Sequence, residues 1–214
     1  MRILLADTLI NGAPPTYALD PGRGGGIEGL CTHLWGKQAT DWVLPILWSI
    51  ARKYPRVVVG EIGTCGGMSA GAFGMAARDV GGRVYTMDID TQYLENAKAN
   101  VKLFGVEDYV TFITADSRAT DFPEPLDVLF IDGDHSYEGV KADYERHAKN
   151  VKPNGTILLH DPMSCEGVGE FCLEVGAHVI PIEAGLAIMS KGHHMPRGYI
   201  QDVTLGPSRA EARC

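Results

Sequence analysis

Apolar and polar positions follow two rhythms along this chain, and from residue 56 onward the rhythms take turns. Val57-Val58-Val59 followed by Glu61-Ile62 is a nearly unbroken apolar run, as expected of a strand covered on both faces in a parallel sheet. Residues 69–78, dense in Gly and Ala, suit a helix packed very close to that sheet. A second strand is predicted at 83–89, carrying Val84, Tyr85, Met87 and Ile89. Leu94, Ala97, Val101 and Phe104 then share one helical face, and Gly105 ends that helix. Val110–Thr114 and Leu126–Ile131 read as the third and fourth strands. Val140, Tyr144, Ala148 and Val151 line one side of a helix over 137–151, which stops at the turn signal Lys152-Pro153-Asn154-Gly155. A fifth strand follows at 156–159, and 177–182 with Leu186–Ser190 form a terminal strand pair. Strands spaced by helices imply right-handed crossovers and a doubly wound α/β sheet, mostly parallel, with helices on both faces.

The first fifty-five residues differ. Residues 11–29 hold Ala-Pro-Pro and Pro-Gly-Arg-Gly-Gly-Gly, a composition that favours loop over packed element. Over 40–54, Val43, Ile46, Leu47, Ile50 and Ala51 recur at helical spacing, with Trp42 and Trp48 beside them and Pro45 early enough to be tolerated. The expected organisation is one domain over 1–214: a loop-and-helix extension at 1–55, a core at 56–191 and a polar tail at 192–214.

Length and composition agree with a single globular core: 214 residues, 45% hydrophobic and 21% charged. The net charge of −8 argues against a protein that coats nucleic-acid phosphates, which calls for a basic footprint. No apolar stretch approaches the ~20 residues of a spanning helix, and Asp7 cuts the run Ile3-Leu4-Leu5-Ala6 short of a signal-peptide core. Five cysteines at 31, 65, 165, 172 and 214, with no CxxC pair, give neither a disulfide framework nor a structural zinc site. A cytoplasmic protein with reduced thiols is the expectation, and the extension at 1–55 is a candidate for pairing copies into a homo-oligomer.

In a doubly wound sheet, ligands sit beyond the carboxyl ends of the strands where strand order reverses. The first strand ends in Glu61-Ile62-Gly63-Thr64-Cys65-Gly66-Gly67-Met68-Ser69, where glycines let the backbone approach a ligand. A dinucleotide site wants G-x-G-x-x-G, but Cys65 and Met68 break that pattern. After the loop, three strands end in carboxylates. Asp88-Ile89-Asp90 could accept both ribose hydroxyls of a nucleoside, and Ala115-Asp116-Ser117 could meet the amine of an adenine. The bland alternatives are that Asp90 caps a helix and Asp116 forms a turn.

The stretch EIGTCGGMS at 61–69, the Asp88 strand end and IDGDHSYEGVKAD at 131–143 together resemble class I S-adenosylmethionine-dependent methyltransferases. More narrowly, they are similar to the branch holding macrocin-type O-methyltransferases and proteins labelled cephalosporin hydroxylases. The likeness runs from about residue 56 to 191 and includes Leu159-His160-Asp161. It implies a seven-stranded Rossmann-like sheet with an antiparallel last strand. It implies also that Glu61, Gly63, Thr64, Gly66 and Ser69 surround the methionine part of S-adenosylmethionine. Asp88 would hold the ribose, Ile89 would pack on the adenine, and Asp116 with Ser117 would border its edge; the plainer alternative for Asp132, beside a metal role, is that it touches the cofactor side.

Methyl transfer is an in-line displacement at a sulfonium carbon, for which alignment can supply roughly 7–11 kcal/mol. A hydroxyl acceptor must also lose its proton, either to a positioned base or under the pull of a divalent cation. Asp134 and His135 are the base candidates, Asp134 by resemblance, and a plainer role has Ser136 or Asp134 capping the helix that begins near Tyr137. Asp132, His160 and Asp161 are the metal candidates. In metal-dependent relatives three acidic residues occupy these places by the resemblance, and here one is His160. Mg²⁺ prefers oxygen, whereas imidazole suits softer transition ions. The expectation is thus an O-methyltransferase acting on a small molecule, with a divalent metal as a candidate cofactor. The rivals are an NAD(P)-dependent oxidoreductase and a non-catalytic cofactor-binding protein. An oxygen-activating hydroxylase is set aside, because no 2-His-1-carboxylate set stands out in the sequence. His33, His147 and His178 read as surface or packing residues.

Overall fold

The computed structural model describes residues 43–182 and 184–192. The expectations for the loop at 11–29, for Trp42, for His33 and for the tail beyond 192 lie outside the described residues.

Seven strands form one sheet in the order β3-β2-β1-β4-β5-β7-β6. The parallel part comprises β1 (Val58–Ile62), β2 (Arg83–Asp88), β3 (Val110–Thr114), β4 (Leu126–Ile131) and β5 (Val151–His160). β6 (His178–Ile180) and β7 (Leu186–Ser190) close the far edge, with β7 antiparallel to both β5 and β6. The chain runs β1-β2-β3 to one side and then returns to add β4 and β5 on the other, so strand order reverses between β1 and β4. Burial follows position. All five residues of β1 are buried and β4 is buried almost throughout, whereas the edge strands β3 and β6 are half exposed. That is why the central strands read as continuous apolar runs.

The helices fall into two packed groups. α1 (Val43–Ala51) lies on α2 (Met68–Val80), which also meets α3 (Leu94–Leu103). α4 (Tyr137–His147) packs on α5 (Glu166–Val175) and on β4. The small residues of α2 serve close approach, but the neighbour is α3 and its exit as much as the sheet. A Cβ at Gly71 would stand 2.0 Å from the Phe104 ring. Phe73 of α2 meets Phe130 of β4 edge-on, ring centroids 5.6 Å apart, which ties the first helix group to the centre of the sheet.

Three expectations are corrected. The turn signal at 152–155 does not precede β5 but lies inside it. Val151 already pairs with Leu126, and pairing resumes at Val128 with Thr156, so the extra residues bulge out of the ladder with Asn154 at φ 64°. The helix expected over 137–151 ends at His147 and tightens into a 3-10 turn over Ala148–Asn150. The whole of α5 was missed, although Val168, Phe171, Cys172 and Val175 recur at helical spacing, the first three of them buried. Gly167 and Gly169 lower its intrinsic propensity, and packing of this stripe on the core outweighs them.

Candidate active site

The glycine loop that leaves β1 is folded inward. Gly63 adopts φ +93°, and a Cβ there would lie 2.0 Å from the carbonyl oxygen of Asp132, so only glycine lets the ends of β1 and β4 come this close. The loop's amides are engaged within the protein. Gly63 N–H donates to Met87 O, and Gly67 N–H to Thr64 O. Thr64 N–H and Cys65 N–H both donate to Asp88 Oδ2, at 2.9 and 3.0 Å. A loop arranged this way does not present those four amides to a pyrophosphate.

Asp88 is correspondingly busy. Its Oδ1 accepts the Asp90 amide at 2.9 Å. A carboxylate offers about four acceptor positions, and three are taken, so Asp88 has room for one ribose hydroxyl and not for both.

Beside the loop, at the reversal between β1 and β4, lies a cavity of about 460 Å³. Gly63, Asp88, Ile89, Asp116, Ser117, Asp132, Asp134 and His135, all expected from sequence, lie on its wall. Ile89 stands 65% exposed there, an apolar face available to a ring. Asp116 accepts from the Arg118 amide at 2.9 Å and from Arg118 Nε at 3.1 Å, and these contacts hold its carboxyl below the usual range.

Glu61, Thr64, Gly66, Ser69, His160 and Asp161 are not on that wall. The Thr64 hydroxyl is turned away to Thr86 Oγ1 at 2.6 Å, so its side chain braces the loop from behind. Glu61 is 0% exposed, and neither carboxylate oxygen has a hydrogen-bond partner among the described residues. Burial pushes its carboxyl up to about 8, while the nearby hydroxyls of Ser69 and Thr86 moderate the rise.

Asp143 was missed as a site residue. It lines the cavity at 2% exposure, accepts Ser117 Oγ at 2.6 Å, and is raised above the ordinary carboxyl range by burial. His147, one turn on, is fully buried, donates Nε2–H to Ser117 O at 2.8 Å and rests on the Phe122 ring. A polar pair on the same face as buried Val140 was the available signal, because a buried helical stripe that carries Asp and His must supply partners for them.

The fourth and fifth strands bring the second cluster together. Ile131 pairs with Leu159, so the next residues, Asp132 and His160, emerge side by side. His160 Nδ1 and His135 Nε2 each lie 3.2 Å from Asp132 Oδ1. Asp161, at φ 65°, puts Oδ1 3.3 Å from His160 Nδ1 and Oδ2 3.6 Å from His135 Nε2. Two imidazoles and two carboxylates are thus linked by short contacts, while each group of ligand atoms within 4.8 Å of one another among the described residues holds a single histidine: His135 with Asp161 and Cys165, and His160 with Asp132 and Asp161. The turn after β4 carries His135 back over Asp132, a geometry that spacing alone does not reveal. Hydrogen bonds from both imidazoles hold Asp132 below the usual carboxyl range against the opposing effect of its burial, and Asp132 raises His135. Asp134 Oδ1 accepts the Ser136 amide at 2.9 Å, a contact that lowers its carboxyl, and Ser136 is the true N-cap, its Oγ accepting Gly139 N–H at 3.0 Å.

Residues 60–162 match a family model described as a methyltransferase domain. Among solved structures, an O-methyltransferase from Bacillus cereus in complex with S-adenosylhomocysteine is 18% identical, with a TM-score of 0.59 over 74% of this chain and 84% of that one. The O-methyltransferase TomG from Streptomyces achromogenes, solved with S-adenosylmethionine, is 19% identical, with a TM-score of 0.56 over 68% and 78%. A Podospora anserina methyltransferase bound to S-adenosylhomocysteine is 18% identical, with a TM-score of 0.57 over 68% and 76%. At these identities the likeness is one of fold.

Proposed function

We propose that the chain is a class I S-adenosylmethionine-dependent methyltransferase and that it methylates a hydroxyl oxygen of a small-molecule acceptor, with a divalent cation assisting. The observation that carries this reading is the charge of the cavity. Asp88, Asp90, Asp116, Asp132, Asp134 and Asp143 all line it, against Arg118 as the one lining residue of permanent positive charge among the described residues. Such a wall favours a cationic nucleoside over a polyanionic dinucleotide, and the internally engaged loop amides point the same way.

The residues present fit S-adenosylmethionine. Glu61, fully buried behind the loop and without a hydrogen-bond partner among the described residues, backs the loop from outside the cavity wall. Asp88 retains one acceptor position for a ribose hydroxyl, Ile89 offers an apolar face, and Asp116 with Ser117 borders it. Gly63, Gly66, Thr64 and Ser69 shape the loop around the methionine portion. When bound, the cofactor supplies a methyl group on a sulfonium, a leaving group activated by its own charge.

The chain's own residues then have two tasks. The cavity wall holds the acceptor oxygen in line, and Asp134 or His135 takes the hydroxyl proton from the side where both line the wall. Asp132, His160 and Asp161 offer ligand atoms within 4.8 Å of one another, which fits a cation able to acidify the hydroxyl. Among the described residues no helix is long and apolar enough to cross a membrane, and we read the protein as cytoplasmic.

Calorimetric titration of the full chain with S-adenosylhomocysteine and, separately, NADH tests the cofactor. Binding of the former alone is expected, and binding of NADH alone overturns the reading. Transfer of a labelled methyl group to a panel of hydroxylated acceptors, with and without chelator, tests oxygen transfer and the cation's part in it.

A further inference from the structure

We propose that Asp143 is a positioning residue for ligand choice: by holding the Ser117 proton it makes the β3 end of the cavity accept a hydrogen bond from an amino group and turn away a carbonyl. The inference rests on the S-adenosylmethionine reading above and deepens it by naming the side chain that sets which ring edge fits.

A serine hydroxyl has one proton to donate and two acceptor positions, so one that is free to turn serves an amine and a carbonyl equally. Ser117 is not free to turn. Its Oγ donates to Asp143 Oδ1 at 2.6 Å, a short, charge-assisted contact. Asp143 is 2% exposed, which keeps water from competing for that proton. The backbone is held as well, His147 Nε2–H donating to Ser117 O at 2.8 Å. Residues 143 and 147 are one turn apart on α4, so a single helix face fixes the hydroxyl and the carbonyl of Ser117 together. With its proton committed inward, Ser117 Oγ has only lone pairs left for the cavity that it lines.

The neighbouring groups have the same sign. Asp116 is a carboxylate whose Oδ1 takes Arg118 N–H at 2.9 Å and Nε–H at 3.1 Å. Arg118 is the one lining residue of permanent positive charge among the described residues, and its guanidinium is turned to Asp116, with Nη2 3.4 Å from Oδ2. The wall at residues 116 and 117 therefore presents acceptors, while the strongest donor beside it is engaged.

An amine placed against such a wall gains a partner. A carbonyl oxygen placed there faces lone pairs and gives up its water without replacement. Adenine carries an exocyclic amine, and its deaminated counterpart carries a carbonyl at the same ring position. Removing Asp143 releases the Ser117 proton, which can then turn outward and donate to that carbonyl.

Calorimetric titration of the full-length chain with S-adenosylhomocysteine and with S-inosylhomocysteine, its deaminated analogue, tests the assignment, and circular dichroism checks that each variant is folded. The wild type should prefer the amine by at least about tenfold. In Asp143→Ala the preference should narrow to about threefold or less, because S-inosylhomocysteine binds more tightly. Ser117→Ala should narrow it through weaker binding of S-adenosylhomocysteine, and Asp143→Ala should change nothing further in that background. A preference unaltered by Asp143→Ala, or both ligands weakened by one common factor, overturns the proposal and leaves Asp143 a structural strut. A wild type that binds the two ligands equally overturns it too, while keeping the cofactor reading. A folded wild type that binds neither overturns the cofactor reading itself.

Discussion

Asp88 holds Thr64 in place: its Oδ2 accepts the Thr64 amide at 2.9 Å, across the gap between the end of β2 and the loop after β1. The same oxygen takes the Cys65 amide, so one carboxylate both bends the loop and faces the cavity. Asp88→Ala removes a charge-assisted acceptor worth about 1.5–3 kcal/mol. Calorimetry should show S-adenosylhomocysteine binding weakened by at least about tenfold. Unchanged affinity would place the ribose elsewhere on the wall.

Glu61 makes stability depend on pH in a direction unusual for a carboxylate. Its folded-state value is raised from 4.5 to about 8, so between those values the folded chain keeps a proton that the unfolded chain has released. Stability therefore falls as pH rises from about 4.5 to about 8 and levels off beyond. Glu61→Gln removes this contribution. Thermal melts at pH 5 and pH 8 should show the variant gaining on the wild type as pH rises, and a difference that stays constant with pH would show that Glu61 titrates normally.

For Asp134→Asn, the amide oxygen can still accept from Ser136 N–H, so the turn should survive while the base is lost. Turnover is expected to drop by roughly 10²–10⁴-fold with cofactor affinity retained. A fully active variant would remove Asp134 from the mechanism and return the role to His135.

Ser136→Ala deletes the one side-chain cap at the start of α4, the Oγ that accepts Gly139 N–H at 3.0 Å. Urea unfolding should report a loss of about 1 kcal/mol. No loss would mean that solvent or Asp134 satisfies the orphaned amide equally well.

The central strand Leu126–Ile131 was legible because burial on both faces leaves only apolar choices, and it and the edge strand Val110–Thr114 emerge with the boundaries expected. The loop after β1 and the carboxylates at the ends of β2, β3 and β4 were legible for a related reason: residues at strand ends inherit their position from the strand. What sequence hid were contacts set by turns. The return of His135 onto Asp132 depends on how four residues curl after β4. The bulge at 152–155 depends on Val151 finding Leu126, which a local turn signal cannot foresee. Asp143 went unassigned because its partner, Ser117, is distant in sequence and becomes a neighbour only through folding.

The inward-hooked turn after β1 also bears on redesign. Swapping this crevice to a phosphorylated cofactor would require unhooking two amides from Asp88, reopening those of Gly63 and Gly67, and discharging an acidic rim, all at once. A single exchange at Cys65 or Met68 would restore the look of a dinucleotide fingerprint without its chemistry. Cofactor choice in this protein is therefore set by how the turn is tethered, and a sequence edit that leaves the tether intact should leave that choice intact.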